Sequence, residues 1–297
     1  MSNIKRWTGS RFDRGQQTIT LSSWKWFTTF VDQELKDFTS YIYRGQARED
    51  WTLQSTLDRL EESVPESRRS LIRQKQLNGF KLATRGRRGP SPPSLDNENE
   101  LWALGQHYGL ATPLLDFTES PFVALYFAFL EDGHEDSGYR VVYALSEVSV
   151  ASMRTILAAD HALKMLDGES ESSQGGPLLG SRIGLGQQPA SRLGGEQGPP
   201  APPVVDVIRP MSDENSRLVN QRGLFVNGPE GLSIEDWIGD NSEGTNSVVL
   251  FKIRIPNRDR GRCLQFLNRM NINHLSLFPD LYGASRYCNM DLQIKNY

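Results

Sequence analysis

Five side chains able to do chemistry crowd one short stretch of this sequence, Leu101–Phe129: His107, Thr112, Asp116, Thr118 and Ser120. His107 can serve as acid, base or hydrogen-bond donor near neutral pH, or it can simply close a helix end, where its cation suits the dipole. Asp116 stands between Leu115 and Phe117 and reads as a buried carboxylate, which needs partners. Thr118 and Ser120 precede Pro121 and the apolar run Phe122–Leu130. Either can cap a helix that starts there, and the helix N-terminus they open also suits an anion. The second spot is Tyr43-Arg44-Gly45-Gln46. Arg44 follows a short apolar strand and offers a planar fork of donors for a phosphate or a carboxylate. Gly45 beside it can take a left-handed backbone or let a ligand approach closely. The plain alternative is an arginine spent on structure, with Asp116 as its partner. Tyr108 offers a stacking face, although burial is the commoner fate of an aromatic ring. Further on stand Gln221, ahead of a strand, and Asp280, whose place after Pro279 also fits a turn.

A scaffold must bring these segments together. Trp24, Phe27, Val31, Leu35 and Phe38 recur at helical spacing within 20–40, with Ser22 or Ser23 as the cap. Tyr41–Tyr43 reads as a strand ending at Gly45, and 65–84 as a polar helix. Asp96 or Asn97 caps a helix that stops by Gly109. Val123, Ala124, Tyr126, Phe127 and Leu130 cover most of the next helix, which is therefore buried. Strands follow at 139–145, 224–226, 248–255 and 274–278, and helices at 215–221 and 260–270. Strands and helices do not alternate regularly, so the fold class is α+β: a mixed or antiparallel central sheet with flanking helices. Residues 167–203 are rich in Gly, Pro and Ser and read as a flexible insertion in a single domain whose core spans about 20–290.

Composition excludes several classes. The net charge of −3 creates no global pull toward nucleic acid or anionic membrane. The longest apolar run falls short of the roughly 20 residues that a membrane helix needs. The first residues lack a signal-peptide core, so a cytoplasmic protein is expected. Cys263 and Cys288 sit outside any CxxC and read as reduced thiols. The four histidines are scattered singly, so no metal is expected. P-loop, GxGxxG, GxSxG and HExxH motifs are missing from the sequence. The basic break with Arg85, Arg87 and Arg88 lacks interleaved aromatics and reads as a solvated loop.

The motifs resemble the FRG-domain family. Tyr43-Arg44-Gly45-Gln46 matches its aromatic-Arg-Gly motif, Trp51-Thr52-Leu53 and Asp58-Arg59 its next positions, and Gln106–Thr112, Leu114–Thr118, Ser120-Pro121 and Ala124–Ala128 its long central signature. Arg217, Gln221, Gly223 and Phe225 resemble a later motif, and Leu277–Leu281 with Gly283 the last one. Pro113 stands where the family usually carries arginine. The order of an aromatic-Arg-Gly strand, a Thr/Ser-bearing strand and an aromatic helix is also similar to ADP-ribosyltransferases of the Arg/Ser/Glu type, whose fold is then implied as well. That resemblance implies an NAD-dependent ADP-ribosyltransferase or NAD-cleaving effector of toxin or antiphage-defence type. NAD would be its substrate, with a protein or nucleic-acid acceptor and a possible antitoxin or regulatory partner. It implies that Arg44 holds the diphosphate with help from Tyr43, Gly45, Gln46, Thr112, Thr118 and Ser120, and that Tyr108 or Phe117 packs the nicotinamide. Arg44, His107, Asp116, Gln221 and Asp280 are its catalytic candidates; no ExE or QxE precedes a late strand, so the glutamate's role falls to Gln221 or Asp280. The alternative is a non-enzymatic module that binds a ligand or nucleic acid.

Overall fold

Residues that alternate between two apolar faces build one sheet covered on both sides. The computed structural model describes residues 5–35, 37–88, 97–132, 138–172, 202–210 and 216–297. Its strands are β1 (Trp7–Gly9), β2 (Gln16–Leu21), β3 (Tyr41–Gln46), β4 (Leu114–Thr118), β5 (Tyr139–Ser146), β6 (Asp206–Ile208), β7 (Gly223–Asn227) and β8 (Leu250–Pro256). They lie in the order β1-β2-β8-β5-β3-β4-β7-β6. The pair β2 and β8 runs parallel and the other neighbours antiparallel, so the sheet is mixed and the fold is α+β. The helices are α1 (Phe27–Glu34), α2 (Thr56–Leu60), α3 (Glu66–Ala83), α4 (Glu98–His107), α5 (Pro121–Leu130), α6 (Glu147–Ser172), α7 (Ser216–Asn220), α8 (Ile234–Asn241), α9 (Arg260–Arg269), α10 (His274–Leu277) and α11 (Leu281–Gln293).

The period-two alternation of β3 sorts its residues. Tyr43 joins the core beneath α5 with Phe30, Ala124, Tyr126, Val142 and Ile253, while Ile42 joins the opposite core with Phe117, Tyr143 and Trp237. A third cluster, with Leu77, Trp102, Leu114 and Phe225, seats α3 and α4 beside the outer strands. Helix α5 is apolar on all sides because it is covered on most of them, and each large side chain it buries contributes about 1.5–3 kcal/mol. Ser120 caps it, accepting from the Val123 amide at 3.3 Å, with Pro121 in the first turn.

Gly45 corrects an expectation. Its φ is not positive, so no left-handed backbone requires this glycine. A Cβ there would stand 1.9 Å from the Ala124 carbonyl oxygen and 2.5 Å from the Ala128 amide, so the missing side chain lets α5 lie against β3. Three further expectations change. The apolar segment at 274–278 is a short helix, α10, because Asn273 and Ser276 form a reciprocal capping box there. The helical stretch at 20–40 is a 3-10 turn over Trp24–Trp26 followed by α1, and Ser23 gives its hydroxyl to Asp259 instead of capping. The insertion expected from 167 begins inside α6, which runs to Ser172, and residues 173–201 of it lie outside the described residues. Cys263 and Cys288 are both free. No helix among the described residues is long and apolar enough to cross a membrane.

Candidate functional site

Strands β3 and β4 meet in register only at Tyr43↔Thr118 and then part. A cavity of about 440 Å³ fills the wedge. Arg44, His107, Asp116 and Gln221, drawn from four separate segments, all line it. Its apolar walls come from Phe127 and Leu130 of α5, from Phe225 and Phe278, and from Trp51 at the edge. Arg217 of α7 completes the lining on the far side.

Arg44 bridges the parted strands. Its Nη1 donates to the Asp116 carbonyl at 2.7 Å, where a ladder bond would otherwise lie, while its buried Nε has no hydrogen-bond partner among the described residues. Burial lowers the proton affinity of this guanidinium below its ordinary value; Asp116 opposes that shift and Arg59 adds to it. The group nonetheless stays charged. A half-buried cation whose buried Nε goes unused is costly in the folded chain, of order 1–3 kcal/mol, and an anion against the guanidinium would offset that cost.

The Asp116 side chain is exposed at the cavity instead of buried, because β4 turns it toward the same side as Leu114 and Thr118, where the wedge opens. It is nevertheless held. The buried Thr112 hydroxyl donates to Gln106 Oε1, and Gln106 Nε2 donates to Asp116 Oδ1 at 2.7 Å. This chain of bonds fixes the carboxylate's direction. His107 ends α4 and is half-buried; burial lowers its pKa, the Arg217 cation lowers it further, and Asp280 opposes. It is therefore neutral near pH 7, with a ring nitrogen able to take a proton.

Other expected site residues have structural employment. Tyr108 is 71% exposed and absent from the cavity wall, its ring edge-on to His107. Ser120 is the cap of α5. Thr112 faces a neighbouring cleft. Thr118 lines the cavity, yet its hydroxyl donates to the Gln221 carbonyl at 2.7 Å, and Gln221 itself donates to the Leu277 carbonyl at 3.1 Å. Asp280 caps α11 by accepting from the Gly283 amide and binds Arg217, and that amide first and the arginine second pull its pKa down; it does not line the cavity. Tyr43, Gly45, Gln46 and Phe117 do line it, chiefly as packed walls.

Residues 39–137 match the FRG domain. The chain carries an FRG domain. No curated protein and no solved structure matches it. The matched segment, about one third of the chain, supplies Arg44, Trp51, Gln106, His107, Asp116 and Phe127 to the cavity. Arg217, Gln221 and Phe278 come from beyond the matched FRG segment and close the cavity over it.

Several contributors escaped the sequence reading. Glu131, directly after α5, brings a second carboxylate to the wall, and its place follows from the length of that helix. Phe278 packs on the His274 ring at 5.3 Å and carries the Arg217 guanidinium at 5.4 Å, which the isolated Phe-Pro-Asp sequence does not announce. Glu235 of α8 sits beneath the Trp51 loop, accepting the Leu53 amide on both carboxylate oxygens at 2.9 and 3.0 Å; burial raises its pKa. Tyr143 adds a bond from its hydroxyl to the Trp51 carbonyl at 3.1 Å. Together these bonds hold the Trp51 wall in place.

Proposed function

We propose that the FRG cavity binds NAD and cleaves its nicotinamide–ribose bond, passing ADP-ribose to water or to a macromolecular acceptor, in the manner of a toxin or defence effector. The observation that carries this reading is the Arg44 guanidinium, charged, half-spent and facing a cavity with aromatic walls. That combination suits a ligand with both an anionic linker and flat rings. Arg44 would take a phosphate oxygen through its unused donors. Trp51, Phe127 or Phe278 would lie against the rings.

The chemistry then needs a carboxylate near the ribose. The glycosidic bond breaks with its electron pair leaving on nicotinamide, and positive charge develops on the ribose carbon. Asp116, aimed by Gln106 and Thr112, is the group suited to stabilise that charge. The acceptor's oxygen or nitrogen forms the new bond, and its proton passes to neutral His107 and then to solvent. Thr118 and Gln221 are already committed to the backbone, so their part is to hold the wedge open.

Incubation of the protein with NAD labelled in the adenosine half tests this reading, with nicotinamide release and label transfer to protein, DNA and RNA as readouts. Release that disappears in Asp116→Asn with binding retained is the expected result. No binding and no release overturns it. A second reading, a ligand-binding module without catalysis, gains weight from the commitment of Thr118 and Gln221 to structure. It predicts tight binding with no release in either protein.

A further inference from the structure

A second cleft lies on the other side of Arg44. Its volume is about 280 Å³, and Arg44 and Asp116 border both it and the main cavity. Its remaining wall includes Arg59 and Thr56 of α2 and the loop from Gly109 to Thr112. Arg59 is exposed, and its guanidinium donates to two neutral groups, the Gln54 carbonyl at 2.7 Å and the Thr56 hydroxyl at 3.2 Å. Among the described residues it has no carboxylate partner. The carboxylate that does border the cleft, Asp116, is already bonded to Gln106. Two guanidinium groups therefore face one small polar space that holds a single carboxylate, and the Arg59 cation adds to the lowering of Arg44's proton affinity that burial begins. Two cations outnumber the one carboxylate, and like charges near one another destabilise; a ligand anion between the two guanidinium groups would reverse the sign.

We propose that this cleft is a phosphate compartment of the same site. The ligand runs past the Arg44 guanidinium, with its ring portion in the main cavity and a phosphoryl group between Arg44 and Arg59. Arg59 is then a binding residue for the phosphate, with the Thr56 hydroxyl beside it as a further donor. The ligand class that fits is one in which two or more linked phosphates join to a planar ring, one phosphate meeting Arg44 from the cavity and the next lying between Arg44 and Arg59 in the cleft. The proposal rests on the nucleotide reading above but does not depend on bond cleavage.

Calorimetric titration of inorganic pyrophosphate into the full chain tests it, with wild type, Arg59→Gln and Arg59→Lys compared at low salt and each melted beforehand to show that it is folded. Pyrophosphate should bind the wild type, weaken by roughly tenfold or more in Arg59→Gln, and recover in part in Arg59→Lys, which keeps charge but loses the planar fork. Absence of pyrophosphate binding, or equal binding to wild type and Arg59→Gln, overturns the compartment. A parallel titration with NAD separates the two claims. If pyrophosphate binds in an Arg59-dependent way while NAD does not bind, the compartment stands and the NAD reading falls. If NAD binds with an affinity unmoved by Arg59→Gln, the NAD reading stands and the compartment falls.

Discussion

Arg140 and Arg44 are set into neighbouring strands of one sheet, yet they serve different ends. Arg140 opens β5 where that strand pairs continuously with β8, from Tyr139↔Pro256 to Leu145↔Leu250. It is 1% exposed; its Nε donates to Asn257 at 2.7 Å and its Nη1 to the Ala128 carbonyl at 3.4 Å. Arg44 stands where β3 and β4 share a single register pair, with one bond to a carbonyl and Nε unpartnered. Burial lowers the proton affinity of both. A perturbed arginine is thus no mark of a site by itself. The parted strands and the unspent donor are what distinguish the wedge from the ladder.

The largest expected effect tests why the wedge exists. Gly45→Ala places a methyl group 1.9 Å from the Ala124 carbonyl oxygen, an overlap with backbone that no rotamer change relieves. It should destabilise the chain by about 3 kcal/mol or more, read by urea unfolding. A variant that unfolds with the wild type would show that α5 does not seat on β3 through this glycine, and the wedge would lose its floor.

Next in size is a pH effect behind the cavity wall. His274 is buried, accepts or donates at Nδ1 with the Tyr126 hydroxyl at 2.7 Å, and stacks on Phe278. Burial, aided by Arg286, lowers its pKa to about 4. The unfolded chain takes up this proton near 6.5, before the folded chain does. Stability should therefore hold above pH 6.5 and fall between 6.5 and 4, by up to about 3 kcal/mol from this group. His274→Asn keeps a polar atom but cannot titrate, so its stability should vary less with pH across that window. Equal pH profiles would remove His274 as the acid-sensitive support of the Phe278 wall.

The third effect compares the two arginines directly. Arg140→Ala should cost about 2 kcal/mol, because two bonds vanish and a buried space opens, and should leave ligand affinity unchanged per folded molecule. Arg44→Ala should cost about 1 kcal/mol or less, since the Asp116 carbonyl is left beside a cavity that water can enter, and should abolish NAD binding. Equal melting losses with binding intact in both would erase the distinction.

The sequence was legible where periodicity and punctuation agreed. Pro121 after Ser120, followed by an unbroken apolar run, specified the start and full burial of α5. The arginine-glycine strand, the β4 strand and the helix ending at His107 were equally plain, and they carry most of the cavity. Three things were hidden. The N-terminal strands β1 and β2 are short and their burial is partial, so no clean alternation marks them. The capping box of α10 outweighed a strand-like apolar pattern. The direction of Asp116 depended on where β3 and β4 separate, a tertiary fact, so a residue flanked by Leu115 and Phe117 looked buried when it faces the cavity. Asp280 shows a similar dependence: its role as a cap is local, but its partner Arg217 lies 63 residues away.

The smallest expected effect concerns the aromatic that should matter least. Tyr108 lies next to His107 in sequence but extends into solvent, whereas Trp51, 42% exposed, borders the cavity with its backbone held by Tyr143 and its loop by Glu235. Trp51→Ala should weaken ligand binding by roughly tenfold, in line with the loss of about 1–2 kcal/mol of ring contact. Tyr108→Ala should leave binding within about twofold, and melting within a degree or two, because its ring covers little but His107. Fluorescence titration of both variants decides. A reversed order would move the ring-binding end of the site from the wedge to the outer end of α4, and Arg44 would then mark the ligand's edge instead of its centre.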